Sequence, residues 1–225
     1  MSVLIVVVCL VSVYNTWVLW NARAVLVTHA GLPDAGYEEL RAVEVTTALA
    51  DMGMWLALTV TWIALTEWLW RARVNCDHIS DLEHRHSRGW TIGAWVAPFV
   101  NWWYPRQIVD DIWRASHPGP VADPRPSPLV RAWWLVFVGA QLLLLFPANQ
   151  TFDEDTSTGY ATTLAICTTV KTLLLIAAGA LLIAVIHRIT TWQSRTPLTR
   201  QETAAPQQSP PRPRSQSKPR QKSQR

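Results

Sequence analysis

The apolar residues of this chain are gathered into a few long uncharged runs, and that arrangement constrains the fold more than any motif. Val3 to Trp20 contains no charged side chain. As a helix it would rise roughly 27 Å, close to the hydrocarbon thickness of a bilayer. Thr46 to Trp70 is a second run, interrupted by Asp51 and by Glu67 near its end. Leu129 to Phe146 is a third, with Arg131 at its entrance and Pro147 closing it. Thr162 to Ile186 is a fourth, broken by Lys171. A soluble domain divides its apolar residues with period 2 or 3.6, so a soluble α/β enzyme is excluded. The expectation is an all-α integral membrane four-helix bundle over residues 1–193, with spans near 3–20, 46–70, 129–146 and 162–186. Ala22-Arg23-Ala24 imitates a signal-peptidase site, but Met1-Ser2 carries no charge and the apolar stretch is long, which favours a retained span.

Loop charge sets the expected orientation. The segment 71–128 holds seven arginines, and the region from Arg188 to Arg225 holds nine Lys or Arg against one acid, Glu202. The loop after the first run is net acidic, and the loop 148–161 has Asp153, Glu154 and Asp155 with no basic residue. Lys and Arg excess marks the cytoplasmic side of a plasma-membrane protein, so both termini and residues 71–128 are expected inside. Within that segment, Trp90 to Tyr104 is apolar but short, about 22 Å as a helix, and contains Pro98 and Asn101. A span here would put the later loops on the wrong sides. It reads instead as a re-entrant or interfacial element of the inner face.

Residues 106–114 read as a short amphipathic helix. Ile108, Val109, Ile112 and Trp113 share one face, while Arg106, Asp110 and Arg114 fall four apart on another, where each arginine can pair with the carboxylate. Such a helix can lie in the headgroup plane with Trp113 at the boundary. A packed connector with surface ion pairs fits the same pattern.

Several of these residues form an ordered set. Arg71-x-Arg73-x-Asn75 closes a span, then come Ser87-Arg-Gly-Trp-Thr-Ile-Gly-Ala-Trp95, Pro98-x-x-Asn101 and Pro105-Arg-Gln-Ile-Val-Asp-Asp-Ile-Trp-Arg-Ala-Ser116. In these motifs the chain resembles an actinobacterial family of multi-pass membrane proteins known as a domain of unknown function, DUF4328. The resemblance covers about Ala48 to Gln193 and is strongest from Trp70 to Ser116. It implies a membrane domain and brings no reaction and no catalytic residue.

The chemistry-bearing residues are sparse. Cys76, His78, His84 and His86 are possible zinc ligands, but Cys-x-His with His-x-His is not the spacing of a structural zinc site. No cofactor or metal is expected, and the absence of a nucleophile elbow, phosphate loop or zincin motif points away from an enzyme. Asp51 and Lys171 both fall in the outer halves of their spans. A lone intramembrane charge is costly, so the two are expected to pair; otherwise each reaches headgroup water separately. On the inner face, Arg71, Arg73, Asn75, Asn101, Arg106, Asp110 and Arg114 form the candidate interaction surface.

Residues 194–225 are rich in Pro, Gln, Ser, Lys and Arg, and are expected to be a disordered tail drawn to anionic inner-leaflet lipids. Without the tail the chain is net acidic, so no nucleic-acid role is expected. Two functions follow from different features. The first is a non-enzymatic scaffold or signalling partner that presents residues 71–128 to a cytoplasmic protein. The second is a small transporter or channel subunit using Asp51 and Lys171, for which Thr61 and Gln141 are the only evident polar continuations.

Overall fold

A computed structural model describes residues 1–29, 37–80, 82–118, 127–143 and 157–203. The described chain is almost wholly helical: α1 (Ser2–His29), α2 (Tyr37–Ile79), α3 (Trp90–Val96), a 3-10 turn (Val100–Trp102), α4 (Tyr104–Ser116), α5 (Pro128–Leu142) and α6 (Ser157–Thr203). Three helices are long and apolar enough to cross a membrane, over Ser2–Thr28, Arg41–Ile79 and Gly159–Arg195. The 15-residue α5 rises only about 22 Å. The apolar run expected to continue to Phe146 is described only as far as Leu143.

The long helices overrun the expected spans at both ends. Apolar runs stop at the first charge, whereas helical hydrogen bonding continues through polar residues that propagate it well. The same reasoning moves the boundary set near 194, since α6 runs to Thr203 through Arg195, Arg200, Gln201 and Glu202. Residues 204–225 of the expected disordered tail lie outside the described residues.

Helix α1 lies between α2 and α6, which run antiparallel to it. Its neighbours pair in descending order: Leu4 with Thr61, Ser12 with Met54 and Asn15 with Asp51 on α2, and Thr16 with Thr172, Trp20 with Thr169 and Arg23 with Thr162 on α6. Gly179 sets the approach to α6, because a Cβ there would meet Ile5 Cγ2 at 3.0 Å and Cys9 Sγ at 3.2 Å. Small residues permit such close helix contact in membranes. Signal-peptide cleavage after Ala24 would remove the helix that joins the other two. The opposite flank of α2 exposes Leu49, Met52, Trp55, Leu56, Val60 and Ile63, the pattern of a lipid-facing surface.

At the other end of the bundle, α2, α5 and α6 converge on α4. Leu69, Ala72 and Cys76 of α2, Val130 and Trp133 of α5, and Val185 and Ile189 of α6 form one buried cluster with Ile108, Val109, Ile112 and Ala115. This corrects the headgroup-plane alternative for α4. Its apolar face is covered by protein rather than lipid, and its polar side is closed over as well, with Asp110 and Asp111 both buried. The packed-connector alternative is the better description, except that the ion pairs are internal.

The segment 90–104 crosses nothing. Helix α3 has seven residues and rises only about 10 Å; Ala97 then leaves the helix in extended conformation. Tyr104 starts α4 with Pro105 in its first turn, where a missing N–H costs nothing.

Candidate functional site

Two polar constructions stand out against the apolar background: an ion network around α4 and a polar face along α1.

The network begins with two adjacent carboxylates whose side chains are 4% and 6% exposed, Asp110 and Asp111. Asp110 Oδ1 accepts the Ser127 backbone N–H at 2.8 Å, while Oδ2 faces Arg85 at 3.2 Å and Arg114 at 3.4 Å. Asp111 Oδ1 faces Arg114 Nη2 at 2.8 Å and Arg85 Nε at 3.0 Å, and its Oδ2 accepts the Arg85 backbone N–H at 3.1 Å. A second node joins the end of α2 to the following loop, where Asp77 takes Arg73 from its own helix and Arg88 at 2.8 Å. Buried charges are tolerated when they are paired and hydrogen-bonded, a condition that both carboxylates meet; Arg114 is paired through Nη2, while its buried Nε has no hydrogen-bond partner among the described residues. Ser127 serves twice, because its hydroxyl caps α5 at Val130 N while its N–H ties that helix start to α4.

Burial pushes the Asp110 carboxyl above the usual carboxylate range, against the opposing pull of the Ser127 N–H and Arg85. Burial, reinforced by Arg73, holds the His84 imidazole below the ordinary histidine value, with Asp111, the Leu82 carbonyl and Asp77 acting the other way. A small cavity of about 10 Å³, on the scale of a single water site, is lined by Arg73, His84, His86, Ser87, Thr91, Ile108 and Asp111.

These contacts divide the expected interaction surface. Arg73, Asp110 and Arg114 are structural ties within the protein. Arg71 is exposed and pairs with Glu67 at 2.6 Å. Asn75 is exposed and donates to Gln193 Oε1 at 3.3 Å. Asn101 is exposed, and Arg106 is half-buried. The spacing-four expectation is met by Arg114 but not by Arg106. Arg106 acts on Asp110 only through its field, and Arg85 occupies the position across the carboxylates.

The candidate zinc residues separate. Cys76 is fully buried beside Ser116 and Gln193, whose amide donates to Ser116 Oγ at 2.9 Å and to the Ala72 carbonyl at 3.0 Å. His84 Nδ1 lies 3.1 Å from the Leu82 carbonyl, and His86 Nε2 lies 2.7 Å from Gln107 Oε1 with its ring on Tyr104.

On the polar face of α1, Ser12, Asn15 and Thr16 fall at i, i+3 and i+4, one side of a helix. Asn15 donates to Asp51 Oδ1 at 2.8 Å, and the Thr16 and Thr172 hydroxyls are 2.8 Å apart. Asp51 therefore has a neutral donor from α1. Lys171 feels the charge of Asp51, but no carboxylate lies within 4.0 Å of it among the described residues.

The loop after α3 carries the one conformational outlier among the described residues. Phe99 has φ 67° and ψ −57°, and the Val100 N–H reaches the Pro98 carbonyl at 2.8 Å. This is a γ-turn of the strained hand. Holding a non-glycine residue there costs about 1–3 kcal/mol. The ring it displays is 79% exposed.

The helices and these two polar zones define a helical membrane protein with a packed cap at one end of its bundle. A family model described as "Domain of unknown function (DUF4328)" matches residues 32–191. The chain belongs to that family, and the match takes in residues before α2 and the start of α2 as well as the motif-rich cap. Among curated proteins and solved structures, none matches it.

Proposed function

We propose that this protein is a non-enzymatic scaffold or signalling partner of the plasma membrane, with four spans, both termini inside and its cap facing the cytoplasm. The observation carrying this reading is the network of Arg85, Asp110, Asp111 and Arg114, which ties α4 to the loop before α3 and to the start of α5. A cap fastened in this way displays Arg71, Asn75 and Asn101 in constant geometry, which suits recognition of a protein partner. The arginine-rich composition of 71–128 favours the cytoplasmic side, and the basic tail would add attraction to anionic lipids. In this reading α5 supplies the described part of the fourth span, and the apolar sequence runs on to Phe146.

The test is a photo-reactive residue placed at Asn75 or Asn101 in native membranes. A discrete protein adduct is expected at one or both, with none at Leu56 on the lipid-facing side of α2. Adducts with lipid alone at all three positions would overturn the scaffold reading.

The polar face of α1 favours a second reading, a small transporter or channel subunit using Asp51 and Lys171. That face reaches only the outer half of the bundle, while the inner half is closed by Ile108, Val109 and Ile112 of α4. Flux would require α4 to move. Proteoliposomes that pass ions, and lose that flux in Asp51→Asn, would establish this second reading instead.

A further inference from the structure

The edge formed by α3 and the 3-10 turn is the least protein-covered part of the cap. Ile92 and Val96 lie one turn apart on α3, followed by Phe99, Trp102 and Trp103, and all five are exposed. Two contacts fix the height of this edge. Trp134 Nε1 donates to the Trp102 carbonyl at 3.1 Å, and the rings of Trp95 and Trp134 meet edge to face. Trp134 is six residues into α5, roughly 9 Å along an apolar helix that begins at Pro128. With α5 read as entering the bilayer, the edge sits near the level where that helix meets hydrocarbon. Tryptophan-rich edges with apolar projections occupy this zone in membrane proteins.

Two cations flank the edge. Arg106 is in the first turn of α4, four residues past Trp102, and Arg131 is exposed one turn before Trp134. The cap's other arginines Arg73, Arg85, Arg88 and Arg114 are all bound to carboxylates, but neither Arg106 nor Arg131 has one within 4.0 Å among the described residues. The strained Phe99 backbone points the same way. Strain of this kind persists where surrounding structure enforces it, typically at sites that bind something.

We propose that this edge binds an anionic phospholipid of the adjacent leaflet. Val96, Phe99, Trp102 and Trp103 enter the acyl boundary, and Arg106 and Arg131 hold the headgroup phosphate. The proposal rests on the membrane reading with α5 entering the bilayer, and on neither the sidedness nor the scaffold role.

The test uses the full chain in nanodiscs of mixed phosphatidylglycerol and phosphatidylcholine, with p-benzoylphenylalanine in place of Phe99. Irradiation should give phosphatidylglycerol adducts in excess over the disc composition, and excess inorganic phosphate should not displace them. Replacing both cations (Arg106→Gln with Arg131→Gln) should lower that preference roughly 30-fold, as expected for two cation–headgroup contacts. Arg131→Gln alone, at an exposed and unpaired position, should lower it roughly fivefold if α4 tolerates no change. The same probe in place of Leu56 separates the two levels of failure. Lipid adducts at 56 with none at 99, equal use of both lipids at 99, or a preference that survives in both arginine variants overturns this proposal. A protein adduct at 99 in native membranes also overturns it, and no lipid adduct at 56 would overturn the membrane reading itself.

Discussion

Asp110→Ala should unfasten the cap, and the structure sets the size of the effect. The carboxylate serves three donors: the Ser127 N–H at 2.8 Å, Arg85 at 3.2 Å and Arg114 at 3.4 Å. Arg114 keeps Asp111 at 2.8 Å, and Arg85 keeps Asp111 at 3.0 Å while its side chain is 42% exposed. Losing the charge contacts therefore costs little, about 0.5–1 kcal/mol after screening. The Ser127 N–H has no replacement acceptor, and an orphaned buried donor costs about 1–3 kcal/mol. Together these give a loss of roughly 1.5–4 kcal/mol, or about 3–16 °C in melting temperature for a chain of this size. Asp110→Asn keeps an acceptor for Ser127 and resembles the protonated acid that burial already favours, so it should lose about 1 kcal/mol. Thermal unfolding in detergent, followed by tryptophan fluorescence, measures both. An alanine variant that melts with the wild type would refute the account of the cap. An asparagine variant as damaged as alanine would show that charge, rather than the Ser127 acceptor, carries the tie.

Three further outcomes follow. Asn15→Val removes the neutral donor to Asp51 and should destabilise by about 2 kcal/mol, whereas in the Asp51→Asn background the same change should cost less than half as much; equal costs in a double-mutant cycle would show no coupling. Because His84 is held below its unfolded value, about 6.5, it is neutral in the folded cap, and its contribution is present above that pH and lost as pH falls below it. The wild type should therefore lose more stability than His84→Gln between pH 7 and pH 5; Asp110, shifted the other way, is common to both proteins and cancels in the comparison. Gly179→Leu should push α1 off α6 and lower membrane yield, while Gly179→Ala, whose one added carbon meets Ile5 and Cys9, should cost far less; equal yields for all three proteins would contradict the close approach.

Much of the architecture was legible in the sequence because hydrocarbon imposes long uncharged runs that need no tertiary context. The positions of α1, α2 and α6 follow from it, as does the inability of 90–104 to span. The period of 106–114 also gave α4 and the Asp110–Arg114 pair. What covers α4 was not legible, since an amphipathic face looks the same whether protein or a headgroup layer buries it. The partners of Asp110 and Asp111 come from Arg85, 25 residues away, and from a backbone N–H, which has no sequence signature. The polar face of α1 did have a signal, in the spacing of Ser12, Asn15 and Thr16. Its contacts, Asn15 with Asp51 and Thr16 with Thr172, depend on helix order around the bundle, which loop charge does not specify.

The central claim is a four-span protein with the cap inside, and labelling at three points tests it. Single cysteines at Glu39, Arg85 and Asp155 would be exposed in intact cells to a membrane-impermeant thiol reagent, with unsubstituted protein as the blank because Cys76 is buried and Cys9 and Cys167 are half-buried. The account predicts labelling at 39 and 155 and protection at 85 until the cells are opened. Labelling at 39 with protection at both 85 and 155 would mean that α5 returns without crossing, and the fourth span would be contradicted. Labelling at 85 in intact cells would invert the whole topology.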